Sequence, residues 1–164
     1  MKMELIQPFI NAADAVLSET LACPINISDI TMDEESYRRR ATAAMIEISG
    51  DIEGHVIFDV EDTTAVKVAR NIAGMDDLEC DPQIIRETVA ELANLVIGNA
   101  VTTLNDQGFR FKVHPPIEHA GAQGFHPSED VEALVMDFAS PVGNVFMNVA
   151  MRYNRRRRAD RSNS

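Results

Sequence analysis

Glu91 and Asn94 stand three residues apart in the segment RETVAELANLVIGNA, and Glu87 precedes Glu91 by one helical turn. Residues at i and i+3 project from the same face of a helix, so their side chains are presented together. The pair offers a charged acceptor and a neutral amide that both donates and accepts hydrogen bonds. Neighbouring residues supply no partner for either group. The same short spacing is also typical of a solvated helix face, so the spacing alone leaves both interpretations open.

Three of the four histidines, His114, His119 and His126, lie in or beside one loop. Their spacing matches no compact zinc pattern and no cysteine lies near them, so we interpret them as solvated and expect no metal site. A small-ligand or metal-binding domain that uses the loop 117–128 remains an alternative. The sequence has no GxSxG, Walker, GxGxxG or HExxH motif, so hydrolase triads, nucleotide binding and zincin chemistry have no local support.

The segment that carries the carboxylate and the carboxamide has the clearest helix signals in the chain. Asp81 is a natural N-cap, Pro82 suits the first helical position, and apolar residues recur at helical spacing until Gly108. This pattern predicts a helix of about 25 residues, the longest element of the fold. We expect Leu92 and Leu95 to point from this helix toward the core.

The rest of the chain alternates between helical and strand patterns. The predicted elements are a helix over 3–22, a strand over 25–30, a hairpin over 43–60 with a glycine-containing turn, a helix capped by Asp62, Thr63 or Thr64 and stopped by Gly74, the long helix, and strands over 109–113, 131–138 and 145–153. This order predicts an α+β fold in which helices pack on a mainly antiparallel sheet.

The composition is that of a globular protein, with 164 residues of which 45% are apolar and 25% charged. No apolar stretch approaches the roughly 20 residues that a membrane span requires, and the start of the chain lacks an apolar leader. We therefore expect a cytoplasmic protein without a membrane span. Cys23 and Cys80 form no CxxC motif and are expected to be free thiols.

Charge is distributed unevenly along the chain. The net charge is -11, but residues 152–164 carry +5, which leaves -16 on residues 1–151. A body this acidic repels nucleic acid and anionic membranes, so we expect neither as a partner. We predict a domain over 1–153 and a disordered Arg-rich tail over 154–164. The tail is interpreted as solubilising, with a hook for RNA, lipid or an acidic partner as the alternative.

The segment ELANLVIGNA resembles the ExxN helix of the CheC/CheX/FliY class of chemotaxis phosphatases, and most closely the CheX branch. The likeness extends to a first helix, PFINAADAVLSETL, a hairpin, ISGDIEGHVIFDV, the Pro-Pro pair in HPPIEHAG and a final strand pair, over roughly residues 4–153.

Two features depart from the class. Glu87 stands where Asp or Ser is preferred, and Pro115 and Pro116 fall slightly short of the usual proline position. The first helix lacks an ExxN, unlike that of CheC, which implies one active face per protomer.

The resemblance implies a phosphatase that acts on a phosphorylated CheY-like response regulator, in chemotaxis or another two-component pathway. In this class the regulator carries the phosphoryl group on an aspartate and brings its own Mg²⁺, so no cofactor of this chain is implied. Asn94 would position the attacking water, Glu91 would pair with a lysine of the regulator, and Glu87 would add to the binding surface. A homodimer paired through the sheet is also implied. The alternative is a non-catalytic docking module related to the flagellar switch proteins.

Overall fold

Three helices pack on an antiparallel sheet in the computed structural model, which describes residues 3–33, 39–118 and 133–154. The elements are α1 (Met3–Leu21), β1 (Asn26–Asp33), β2 (Thr42–Gly50), β3 (Ile52–Val60), α2 (Asp62–Ala73), α3 (Pro82–Asp106), β4 (Phe111–Val113), β5 (Ile117–Glu118), β6 (Ala133–Ser140) and β7 (Gly143–Tyr153). The strand order is β1-β6-β7-β3-β2-β4, and β5 also pairs with β2. The predicted α+β fold and its long helix are confirmed.

The core lies between the helices and one face of the sheet. Alternate residues of β3, Val56, Phe58 and Val60, belong to this core and are at most 1% exposed. Helix α3 packs against α1, α2, β2 and β3. Because it is held on several sides, α3 has a fixed axis, and side chains on its outer face have a defined direction.

Asp51, at the turn between β2 and β3, fixes the chain that leaves α3. Its backbone N donates to the carbonyl oxygen of Arg110 at 2.8 Å, and its Oδ2 accepts from the backbone N of Arg110 at 2.8 Å. Its own carbonyl accepts from the backbone N of Asn154 at 2.9 Å. The strand predicted over 109–113 begins only at Phe111, because the amide of Arg110 bonds to a side chain instead of a neighbouring strand.

Replacing Asp51 with Ala is expected to lower the free energy of unfolding by about 1 to 3 kcal/mol. Asp51 is 4% exposed, so the substitution removes a buried acceptor from the partly buried hydrogen bond of the Arg110 amide. Urea denaturation of the parent and the variant measures the difference. Asp51→Asn keeps an oxygen acceptor and should lose less. Unchanged stability in Asp51→Ala would contradict this role.

The start of α2 differs from its prediction. The sequence predicts a cap from one of three residues, Asp62, Thr63 or Thr64. In the structure the N-cap position is Glu61, which makes no side-chain cap hydrogen bond. The Glu61 carboxylate accepts from the backbone N of Asn144 at 3.3 Å, and the Thr64 hydroxyl donates to the carbonyl of Asn144 at 3.4 Å. A contact with β7 therefore replaces the local cap.

Several other predictions concern the ends of the chain and its cysteines. Cys23 and Cys80 are free thiols, as predicted. The predicted tail over 154–164 lies outside the described residues except for Asn154, and so does most of the loop 117–128, so these stay predictions. Within the described ranges, no helix is both long enough and apolar enough for a membrane span.

Candidate functional site

Helix α3 carries the candidate site, and local sequence determines where it begins. Asp81 is the N-cap, and its side chain accepts a hydrogen bond from the backbone N of Ile84 at 2.8 Å. Pro82 follows at the first helical position, where its missing N–H costs no hydrogen bond. The helix then continues for 25 residues to Asp106, as the sequence predicts.

The inner face of α3 is apolar and buried. Seven of its residues are at most 2% exposed: Val89, Leu92, Ala93, Val96, Ile97, Ala100 and Leu104. They recur at steps of three and four residues, which is the spacing of one helix face. Their packing fixes the rotation of α3 about its own axis, and so determines which residues face outward.

The outer face of α3 carries a strip of five exposed residues, which we call the α3 strip: Glu87, Glu91, Asn94, Leu95 and Gly98. With 3.6 residues per turn and 1.5 Å of rise per residue, these positions fall within about 100° of each other and span about 16 Å along the axis. The structure therefore brings the three residues that the sequence singled out onto one surface.

Glu91 and Asn94 present their polar groups to solvent. Neither side chain forms a hydrogen bond or an ion pair with another residue in the part of the chain that the structure describes. Glu87 differs, because its Oε1 accepts a hydrogen bond from Nε2 of Gln83 at 3.1 Å. The α3 strip thus offers an incoming molecule one carboxylate and one carboxamide. Neither group has to break an intramolecular hydrogen bond before it binds.

Leu95 also belongs to the α3 strip, and the prediction that it points to the core is wrong. Its side chain is 40% exposed, whereas that of Val96 is 0% exposed and fills the core position. The sequence contains the signal for this, since Leu95 follows Glu91 by four residues and such pairs share a helix face. The site is therefore partly apolar beside the carboxamide.

His114 lies away from the α3 strip, just after β4. Its Nε2 is 2.9 Å from Oγ of Ser49, and its backbone N donates to the carbonyl of Glu47 at 2.9 Å. This histidine therefore joins β4 to β2. His119 and His126 lie outside the described residues. Among the residues that are described, no three His, Cys, Asp or Glu side chains come together as a metal site.

The architecture is that of CheC-like chemotaxis proteins. A CheC-like superfamily protein from Shewanella sp. PV-4 matches with a TM-score of 0.78 at 22% identity, over 93% of this chain and 99% of that chain. CheX from Vibrio vulnificus matches with a TM-score of 0.74 at 21% identity, over 91% of this chain and 99% of that chain. These likenesses show that the fold is shared.

Within this class the chain belongs to the CheX family. The family model described as chemotaxis phosphatase CheX matches residues 42–139, which include all of α3. A chain in the CheX–CheY–BeF3–Mg²⁺ complex from Borrelia burgdorferi is 29% identical, with a TM-score of 0.66, over 92% of this chain and 99% of that chain. No curated protein sequence matches significantly. The family resemblance found in the sequence is confirmed.

Proposed function

We propose that this protein accelerates hydrolysis of the aspartyl phosphate on a CheY-like response regulator, in chemotaxis or another two-component pathway. The observation that carries the proposal is the exposed pair Glu91 and Asn94, which has no intramolecular partner in the described residues of a CheX-family domain. The CheX relative from Borrelia burgdorferi that was solved with CheY supports a regulator of this type as the partner.

Asn94 is the water-positioning residue in this proposal. Its carboxamide enters the regulator's active site and holds a water molecule in line with the phosphorus, since it can both accept from and donate to that water. The water oxygen then bonds to phosphorus, the bond from phosphorus to the aspartate oxygen breaks, and inorganic phosphate leaves. The amide is neutral, so it adds no repulsion against the phosphoryl group. Its contribution is placement of the nucleophile.

Glu91 is the anchor, through an ion pair with the lysine that the regulator keeps beside its phosphorylated aspartate. Residues at i and i+3 have Cβ atoms about 5 to 6 Å apart, so the rigid helix sets the distance between the anchor and the water-positioning amide. Glu87 extends the binding surface by one turn toward the start of α3. The chain is proposed to hold no cofactor, and the regulator's own Mg²⁺ supplies charge neutralisation at the phosphoryl group.

A homodimer paired through the sheet is also proposed. In the described part of the chain β1 pairs with β6 alone and forms an edge of the sheet. Three of its apolar side chains are 40% to 57% exposed, namely Ile27, Ile30 and Met32. An edge strand with exposed apolar residues suits pairing with a second copy, and sedimentation of the purified protein tests this.

The proposed activity is tested by the decay of phosphorylated CheY-like regulators from the same genome, each measured with and without this protein. We expect the phosphoryl half-life of at least one regulator to shorten in proportion to the amount of protein added. A protein that binds a regulator but leaves its half-life unchanged would instead be the docking module.

A further inference from the structure

Gly98 is the residue of the α3 strip that neither the fold nor the proposed chemistry explains. It lies inside a helix of 25 residues, where glycine is less favourable than alanine because its backbone loses more freedom on folding. It makes no use of the left-handed conformation that favours glycine. The other glycines in the described ranges all have positive φ: Gly50, Gly54, Gly74, Gly108 and Gly143.

Space inside the molecule does not require a glycine at this position either. Apart from its two chain neighbours and the adjacent backbone of its own helix, a Cβ atom built on Gly98 would meet no atom within 4 Å. At Gly54, by contrast, such an atom would lie 1.8 Å from the carbonyl oxygen of Ala150. The described residues of this chain would therefore accept a side chain at Gly98. The effect of the glycine is on the outer surface of α3, where no side chain covers the helix backbone at this position.

Gly98 is also placed at the centre of the proposed site. It follows Asn94 by one turn, about 6 Å farther along the axis, and its direction lies between those of Glu91 and Asn94. Asn94 has a short side chain, while longer side chains extend a helix to a radius of about 5 to 6 Å. The short amide of Asn94 can reach into a partner's active site only if the partner's surface comes close to the helix backbone. Long side chains on the neighbouring turns would hold that surface away.

We propose that Gly98 is a positioning residue that gives the response regulator steric clearance at α3. The absence of a side chain lets the regulator's surface approach the helix backbone, so that Asn94 reaches the phosphoryl group. Leu95, which is 40% exposed on the opposite side of Gly98 from Asn94, would supply an apolar contact to the same surface. This inference rests on the proposed function, and it names the feature of α3 that sets how closely the regulator docks.

Two variants, Gly98→Ala and Gly98→Gln, test the clearance. Gly98→Ala should raise the melting temperature by about 1 to 4 °C, because alanine is the better helix former. Both variants should bind the regulator activated with beryllofluoride and Mg²⁺ more weakly, with Kd raised roughly 5- to 150-fold and more by Gln than by Ala. The rate of phosphoryl decay at saturating protein should fall as well, since Asn94 is held too far away.

Thr103→Gln is the control, because it places the same glutamine side chain at an exposed position of the same helix, about 140° around the axis from Gly98. It should leave the Kd and the decay rate at parental values.

Three outcomes would count against the proposals. If the parent is active and Gly98→Gln has the same Kd and decay rate as the parent, the clearance proposal is refuted while the proposed function stands. A lower melting temperature for Gly98→Ala would show that the fold needs this glycine and would also refute it. A parent that shortens the half-life of no regulator would overturn both proposals.

Discussion

Asn94→Ala is expected to slow the single-turnover dephosphorylation of the cognate regulator by roughly 100- to 1000-fold, the usual loss when one preorganised catalytic contact is removed. The fold should persist, because the side chain is exposed and alanine is the best helix former. Binding should persist as well, because Glu91 remains to anchor the helix. The measurement is the regulator's phosphoryl half-life at saturating protein, beside the Kd for the regulator activated with beryllofluoride.

Asn94→Asp separates the chemistry of the amide from its shape. The side chain keeps its size but loses the donor and adds a negative charge that faces the phosphoryl group, so the variant should be about as slow as Asn94→Ala. If Asn94→Ala accelerated the decay as well as the parent does, the catalytic assignment of this residue would be wrong, whatever the affinity for the regulator.

Glu91→Lys is expected to weaken binding of the regulator more strongly than Glu91→Ala. Removing one partner of a charge pair that is buried in an interface typically costs about 2 to 5 kcal/mol, or roughly 30- to 5000-fold in Kd. Lysine also places like charges together, which adds repulsion to the lost attraction. Titration with the regulator activated by beryllofluoride measures both variants, and their circular dichroism checks that α3 still forms.

Asp106→Lys is the control for Glu91→Lys, because it makes the same change of charge at the exposed last residue of the same helix. Asp106 lies about 22 Å along the axis from Glu91, more than two Debye lengths at physiological salt. Its variant should therefore bind nearly as the parent does. Parental affinity in Glu91→Lys would rule out the ion pair.

The parts of α3 that sequence could predict depend on neighbours in the chain. Asp81 and Pro82 define the start of the helix through a cap and a preset φ, both local effects. The exposure of Glu91 and Asn94 follows from the apolar spacing on the opposite face. The same rule, applied from Glu91 to Leu95, would have predicted the exposed leucine correctly.

The features that sequence could not predict depend on contacts between distant residues. Glu61 replaces the expected cap of α2 because Asn144, 83 residues later, supplies its hydrogen bond. The late start of β4 follows from the bond between Asp51 and Arg110, which are 59 residues apart. No local propensity encodes either contact, because each requires that the sheet has already assembled.

Under the proposed function, the outward-facing geometry of the α3 strip would affect how long a signal lasts. All five of its residues are exposed on the outer face of one helix, and the outer face of a single helix cannot enclose a substrate. In the proposed reaction, the regulator's cleft that the helix enters would have to exclude bulk water, so every turnover would begin with a collision between two proteins and end with their separation. The lifetime of the regulator's output would then be governed by how many copies of this protein the cell contains and how often the two meet.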